Sequence, residues 1–279
     1  MIRPEAGHVL REPQDRASKP ATAARIYDYF LGGTYNFEAD RQAAQKMIEL
    51  FPMVRAGARN NRAFLRRAVR HIATAGITQF LDIGSGIPTE GNVHDAVQKI
   101  QPGARVAYVD IDPVAVSESL DLLTGNDDAT AIRADLREPR SILDHPAVRG
   151  MLDFDQPIAL LLSAVLHFVP DDKLATDIVE TLLDALPAGS YLLLSHGSVE
   201  GMPERAQQLE GAKDLYKRDT ASLLSPRTRE EVLRFFDGLQ LVEPGLVWVP
   251  QWRPEPGDPT DFIDNPTMSA SLGGVAVKS

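Results

Sequence analysis

Residues 80–91 read FLDIGSGIPTEG, an apolar run that breaks into Gly84, Gly86 and Gly91. Such a run reads as a buried strand, and glycines directly behind it permit positive φ and let a ligand approach backbone where a Cβ would collide. In an open parallel sheet the ligand crevice lies beyond the carboxyl ends of the strands, so this turn sits where a ligand binds. A dinucleotide cradle, a site for another ligand and a plain strand-to-helix connection all begin this way. The dinucleotide fingerprint needs glycine or alanine three residues after the second glycine. Thr89 stands there, behind Pro88, and weighs against that reading.

Working outward, the strand opens a repeating rhythm. ITQFLDI, ARVAYVDI, ATAIRADL, PIALLLSAVL and GSYLLLSH read as strands, separated by the helical stretches GNVHDAVQKI, PVAVSESLDLL, SILDHPAVRGML and DDKLATDIVETLLDAL. Apolar strands alternating with helices predict a mainly parallel sheet covered on both faces, a doubly wound α/β domain. LQLVEPGLVWVPQW and SLGGVAVKS add a closing hairpin, giving a seven-stranded Rossmann-like sheet over residues 76–279. A helix in the charged stretch before them, residues 199–237, is predicted to start with Ser225 as cap and Pro226 at its first position. Upstream, residues 1–20 have the Pro-rich, charged composition of a disordered arm. Residues 21–75 form an expected helical lid: RIYDYFLGG stopped by Gly32-Gly33, Glu38 to Leu50 stopped by Pro52, and about Ala56 to Ala75 with arginines outward.

The next strand tips narrow the ligand. Asp110, in VDIDP, lies 26 residues after Gly84, where a carboxylate accepts from two ribose hydroxyls. Asp135, in ADLREP, stands at the third tip, where a carboxylate can accept from an adenine amine. A glycine turn with these two acids describes a nucleoside site. The pattern resembles the class I S-adenosylmethionine-dependent methyltransferases. That resemblance implies S-adenosylmethionine as cofactor, with Gly84, Ser85 and Gly86 passing its methionine portion and Asp82 as the acid preceding the turn. It further implies Asp110 and Ile111 at the ribose, and Asp135 with Leu136 at the adenine. ARIYDYFLGGTYNFEADR, NRAFLRRAVR, FLDIGSGIPT, VDIDP and the terminal GGVAVK together are similar to one substrate-unassigned family of such methyltransferase-like proteins.

Other residues are weighed against plainer roles. Tyr27 and Tyr29 are candidates to cover the cofactor or acceptor, although an aromatic stripe is also ordinary core packing. Arg59, Asn60 and Asn61 are candidates for the methionine carboxylate, and Ser163 for a contact near the sulfonium. His167 and His196, following the fourth and fifth strands, are candidate catalytic bases, yet lone histidines are more often packed or hydrogen-bonded. Methyl transfer is an in-line displacement that positioning and water exclusion accelerate, so a base is not obligatory.

Composition bounds the rest. With a net charge of −10, gripping nucleic acid or an anionic membrane is disfavoured, although Arg62, Arg66, Arg67 and Arg70 form a local basic patch. The chain has no cysteine, which excludes disulfides, thiolate zinc sites and cysteine nucleophiles. No signal-peptide block or membrane span is visible, so the expected location is cytoplasmic. The expected partner is a small-molecule acceptor, with a protein side chain second. A cofactor-binding module without catalysis and an NAD-dependent oxidoreductase are the alternatives.

Overall fold

The computed structural model describes residues 20–88, 91–198, 200, 206–220 and 223–279. Thr89, and the expected arm apart from Pro20, lie outside these residues. Helices α1 (Ala23–Phe30), α2 (Glu38–Leu50) and α3 (Val54–Thr74) come first. Thr22 caps α1 by accepting from the Arg25 N–H, and Gly32, at φ 82°, follows its end. The alternating region then runs β1 (Gln79–Ile83), α4 (Val93–Gln98), β2 (Arg105–Asp110), α5 (Pro113–Leu122) and β3 (Ala129–Arg133). It continues through α6 (Pro139–Leu143), α7 (Pro146–Met151), β4 (Ala159–Ser163), α8 (Asp172–Asp184) and β5 (Tyr191–Gly197). Helices α9 (Ala206–Asp219) and α10 (Arg229–Leu233) precede β6 (Leu239–Leu241), β7 (Val247–Trp248) and β8 (Ser271–Lys278).

The sheet order is β3-β2-β1-β4-β5-β8-β6, with β7 also paired to β8. Strands β1 to β5 are parallel, and β8 runs antiparallel between β5 and β6. The predicted seven-strand path therefore holds, with the sixth strand in two pieces. Residues 242–246 interrupt it around Pro244, which brings no N–H to a ladder. Order reverses between β1 and β4, so the crevice opens at their carboxyl ends.

Alternation along the strands fills two cores. Leu81, Val109, Leu160 and Leu162 share one core with Val148 of α7 and Ile178 and Leu182 of α8. Phe80, Val106, Leu161 and Leu193 face α3 through Phe64, Leu65, Val69 and Ile72. Helix α3 thus belongs to the sheet's own core, which runs continuously across the boundary expected at residue 76. Helices α1, α2 and α9 build a third cluster around Ile26, Phe30, Met47, Leu215 and Tyr216.

Phe64 is fully buried and meets Trp252 edge-on at 5.6 Å. Its ring also fills the space where a Cβ on Gly273 would stand 2.8 Å from Cζ. Phe64→Ala is expected to cost about 3–5 kcal/mol, through lost burial and the cavity left behind. Urea denaturation checks this, and a loss below about 1 kcal/mol would mean the site collapses to refill itself.

The structure departs from expectation at the arginines of α3 and at the start of α10. Arg67 is buried rather than outward, because the Trp252 and Val249 carbonyls and Asp258 accept from it at 2.8, 2.7 and 2.6 Å. Arg66 pairs with Asp258, Arg70 with Glu255 and Arg59 with Asp261, so acids of the 253–266 loop neutralise most of the basic stripe. Helix α10 starts at Arg229 rather than Pro226. Thr228 and Glu231 form a reciprocal capping box there, which satisfies two orphan N–H groups at once.

Candidate active site

The glycine turn is built as its residue types require. The N–H groups of Gly84 and Ser85 both donate to the Val109 carbonyl, at 2.8 and 3.2 Å, tying the turn to β2. Gly84 has φ 73°, and a Cβ there would lie 2.4 Å from Val165 Cγ2. Gly86 has φ 68°, but a Cβ on it would meet no heavy atom within 4 Å. One glycine is forced by the neighbouring β4 turn; the other opens onto free space.

Asp110 and Asp82 stand behind this turn on adjacent strands, both buried. Gly86 N–H donates to Asp110 Oδ2 at 2.7 Å and Asp112 N–H to Oδ1 at 2.8 Å. A carboxylate offers about four acceptor sites, so Asp110 retains capacity for a ligand. Burial pushes its carboxyl up to about 6 against those two N–H groups. Burial raises Asp82 to about 7, Arg62 opposing and Asp110 reinforcing the shift. Arg62, Asp82, Ser85, Gly86, Asn92 and His94 line a small cavity at the turn. The cation that lines this cavity is Arg62, one helical turn beyond Arg59, which pairs with Asp261 instead. Asn60 is tied to its own helix through the Ala56 carbonyl at 3.0 Å.

The remaining cofactor candidates divide. Ile111 is 52% exposed just beyond Asp110, whereas Leu136 packs into the core at 8%. Asp135 does not stand free: Arg137 grips both its oxygens and holds its carboxyl below the usual range. Tyr27, Asn61 and Ser163 join in one chain of hydrogen bonds. Asn61 Nδ2 donates to the Tyr27 hydroxyl at 3.1 Å and to Ser163 Oγ at 3.3 Å, and its Oδ1 accepts from Ser195 at 2.7 Å. Tyr27 completes the chain by donating to the Ala58 carbonyl. Tyr29 lies elsewhere, under the Arg55 guanidinium at 4.9 Å.

The two histidines part company. His196 is fully buried, with Nδ1 on the Gly197 carbonyl at 2.8 Å and Nε2 against Arg227 Nη1 at 2.9 Å. Arginine only donates, so His196 is neutral with its proton on Nδ1, and burial lowers it to about 4. Both nitrogens of this candidate base are engaged, which leaves neither open to an acceptor. Half-buried His167 accepts the Gly197 N–H on Nδ1 at 3.3 Å. Burial beside His196 and Arg227 holds it well below the ordinary histidine value. A neutral ring accepting at Nδ1 carries its proton on Nε2, the tautomer of a donor.

Sequence reasoning missed what anchors the N-terminal helices. Buried Arg25 donates to Asp40 at 2.8 Å and Asp112 at 2.9 Å, and Thr22 Oγ1 also bonds Asp112. Asp112 meanwhile caps α5 through Val114 N–H at 2.8 Å. The Gly32-Gly33 turn folds back on Asp28, which accepts from Asn36 at 2.7 Å and from Tyr35 N–H at 3.0 Å. A Cβ on Gly33 would sit 1.9 Å from Asp28 Oδ1. Trp248 and Trp252 are core residues of the closing hairpin.

Five parallel strands, the reversal at β1 and β4, and an antiparallel β8 inserted beside β5 define the class I S-adenosylmethionine-dependent methyltransferases. The open backbone at Gly86 and the buried acceptor Asp110 fit that cofactor. Residues 11–279 match the S-adenosyl methyltransferase family, and the chain belongs to it. The protein is thus a methyltransferase whose cofactor is S-adenosylmethionine, and the oxidoreductase alternative falls away. A crystal structure of a DUF574 family protein from Streptomyces avermitilis is 41% identical, with TM-score 0.86, covering 93% of this chain and 98% of that one. A candidate methyltransferase from Thermobifida fusca is 39% identical, also at TM-score 0.86, covering 98% of this chain and all of its own. An O-methyltransferase family protein from Burkholderia thailandensis, 15% identical with TM-score 0.52, shares the fold alone. No curated protein matches the sequence.

Proposed function

We propose that this methyltransferase acts on a small molecule, and that RIYDYFLGG marks it as one of the substrate-unassigned branch of its family. The cofactor lies along the tips of β1, β2 and β3, and the acceptor docks beneath α1, α2 and α9 at the tips of β4 and β5. The chain Tyr27–Asn61–Ser163–Ser195 carries this reading, because it ties the helical cap to the β4 and β5 tips. A roofed crevice suits a compact acceptor. Pairing of Arg59, Arg66, Arg67 and Arg70 with loop acids further disfavours a nucleic-acid backbone as partner.

Gly84, Ser85 and Gly86 pass the methionine portion, with Asp82 and Arg62 at its amino-acid end. Asp110 accepts from the ribose hydroxyls, Ile111 flanks the adenine, and backbone at Asp135 and Leu136 reads its edge. When bound, the cofactor supplies an electrophilic methyl group on a sulfonium. Ser163 and Asn61 hold the transfer end, the cap excludes water, and His167 orients the acceptor through Nε2–H without deprotonating it. Incubating the protein with methyl-tritiated S-adenosylmethionine and a cell extract, then separating by size, tests the acceptor class. Label in the small-molecule fraction is expected; label confined to protein or nucleic acid overturns the reading.

The two raised carboxyls give a pH signature. Both must ionise to accept from ribose hydroxyls and an ammonium, so binding draws protons off them. Affinity for S-adenosylhomocysteine is expected to rise with pH from about 5 and to level above about 7, with protons released at pH 6. Calorimetry in buffers of different ionisation heat reads that release directly. A flat affinity with no proton release would remove Asp82 and Asp110 from the site.

A further inference from the structure

We propose that Arg227 is a positioning residue that fixes His167 as a hydrogen-bond donor at the acceptor end of the site. The proposal rests on the acceptor-side reading of His167. Arg227 is 4% exposed, and its guanidinium grips the turn on both sides of His167. Nη1 donates to the Leu166 carbonyl at 3.2 Å and Nη2 to the Val169 carbonyl at 2.8 Å. Just upstream, Ser225 N–H donates to the His167 carbonyl itself at 2.7 Å. The turn is held at residues 166, 167 and 169 by one extended segment, 225–227.

The same guanidinium sets a proton direction. Arg227 Nη1 donates to His196 Nε2, which leaves the His196 proton on Nδ1, where it donates to the Gly197 carbonyl. Arg227 N–H donates to that carbonyl as well, at 3.1 Å. Gly197 is thereby held at its carbonyl, and its N–H, in the preceding peptide, donates to His167 Nδ1, so the His167 proton remains on Nε2. Each hydrogen bond on this path is a donor meeting an acceptor, and the step across Gly197 is covalent, so Arg227 acts on His167 through the position in which it holds that residue and the 166–169 turn.

Ion pairing does not account for this burial. Among the described residues the one carboxylate on Arg227 is Asp172, 74% exposed, and a pair so open to water contributes little. A planar fork reaching two carbonyls and an imidazole in different loops is what arginine offers and lysine lacks. The sequence segment SPR, which reads as a helix start, is used instead to bridge the β4 and β5 tips.

Histidine-15N labelling of the full chain with S-adenosylhomocysteine, read by long-range proton–nitrogen correlation, tests the proposal. Two neutral rings are expected, His196 protonated on Nδ1 and His167 on Nε2; the opposite tautomer at either ring overturns it without any variant. Folded Arg227→Lys is expected to give a mixed or exchanging His167 signal although residue 227 does not touch that ring. S-adenosylhomocysteine affinity should stay within about twofold while label transfer to the small-molecule fraction falls about 100-fold, as for a misplaced reacting group. An unchanged His167 signal in that variant would show Arg227 to be structural only. His167→Gln separates the two readings: undiminished label transfer removes His167 from the acceptor site, while the wild-type spectra still decide the positioning.

Discussion

Asp110→Ala is expected to weaken S-adenosylhomocysteine binding by about 100-fold or more, which calorimetry would record as loss of a measurable isotherm. Two hydrogen bonds from ribose hydroxyls to a charged acceptor contribute about 1.5–3 kcal/mol each, and every 1.4 kcal/mol is tenfold. The loss is compounded because Asp110 also holds the turn, through Gly86 N–H at 2.7 Å. Asp110→Asn separates these roles. Its amide keeps one carbonyl oxygen for Gly86 or Asp112 but no charge, so a folded Asn variant should still lose about tenfold or more. Retention of wild-type affinity in both variants would place the ribose elsewhere.

The place of Asp110 beside the glycine turn was legible because its determinants are local: strand end, glycine turn and spacing all fall within FLDIGSGIPTEG and VDIDP. The bounds of α2 were equally plain, since a pattern that stops at Pro52 has no other reading. Three residues have partners the sequence does not announce. Whether Asp135 is available depends on the rotamer of Arg137, two residues away, which either extends into solvent or folds back. His196 depends on Arg227, 31 residues on, and Arg67 on Asp258, 191 residues on. A histidine at a strand tip and an arginine on a helix look alike whether a distant partner satisfies them or not. Ser225-Pro226 failed for a different reason. It is a sound helix start, but Thr228 with Glu231 is a better one three residues later, and the freed segment went to the strand tips.

Arg25→Ala is expected to lower the stability of the chain by about 3–5 kcal/mol, measured by urea denaturation, because it strands two buried carboxylates. Asp40 and Asp112 have side chains at 0% and 1% exposure, with Arg25 between them at 3%. Asp40 retains the N–H groups of Thr22 and Phe37, at 3.0 and 2.8 Å, and Asp112 retains Thr22 and Val114. Among the described residues neither retains a cation in an ion pair. Relief of that repulsion pulls α1 away from α5, and the consequence passes to the cofactor site by one peptide, since Asp112 N–H is a donor to Asp110. S-adenosylhomocysteine affinity should therefore fall about tenfold, more than a distant destabilised helix would cause. Arg25→Lys restores a charge without the fork that spans both acids, and should recover stability only in part. If Arg25→Ala instead unfolds the N-terminal helices while cofactor affinity is untouched, the cap and the ribose site are independent. If both move together, the N-terminal helices are a fixed wall of the cofactor site, locked by buried charge to the strand that carries the ribose acid.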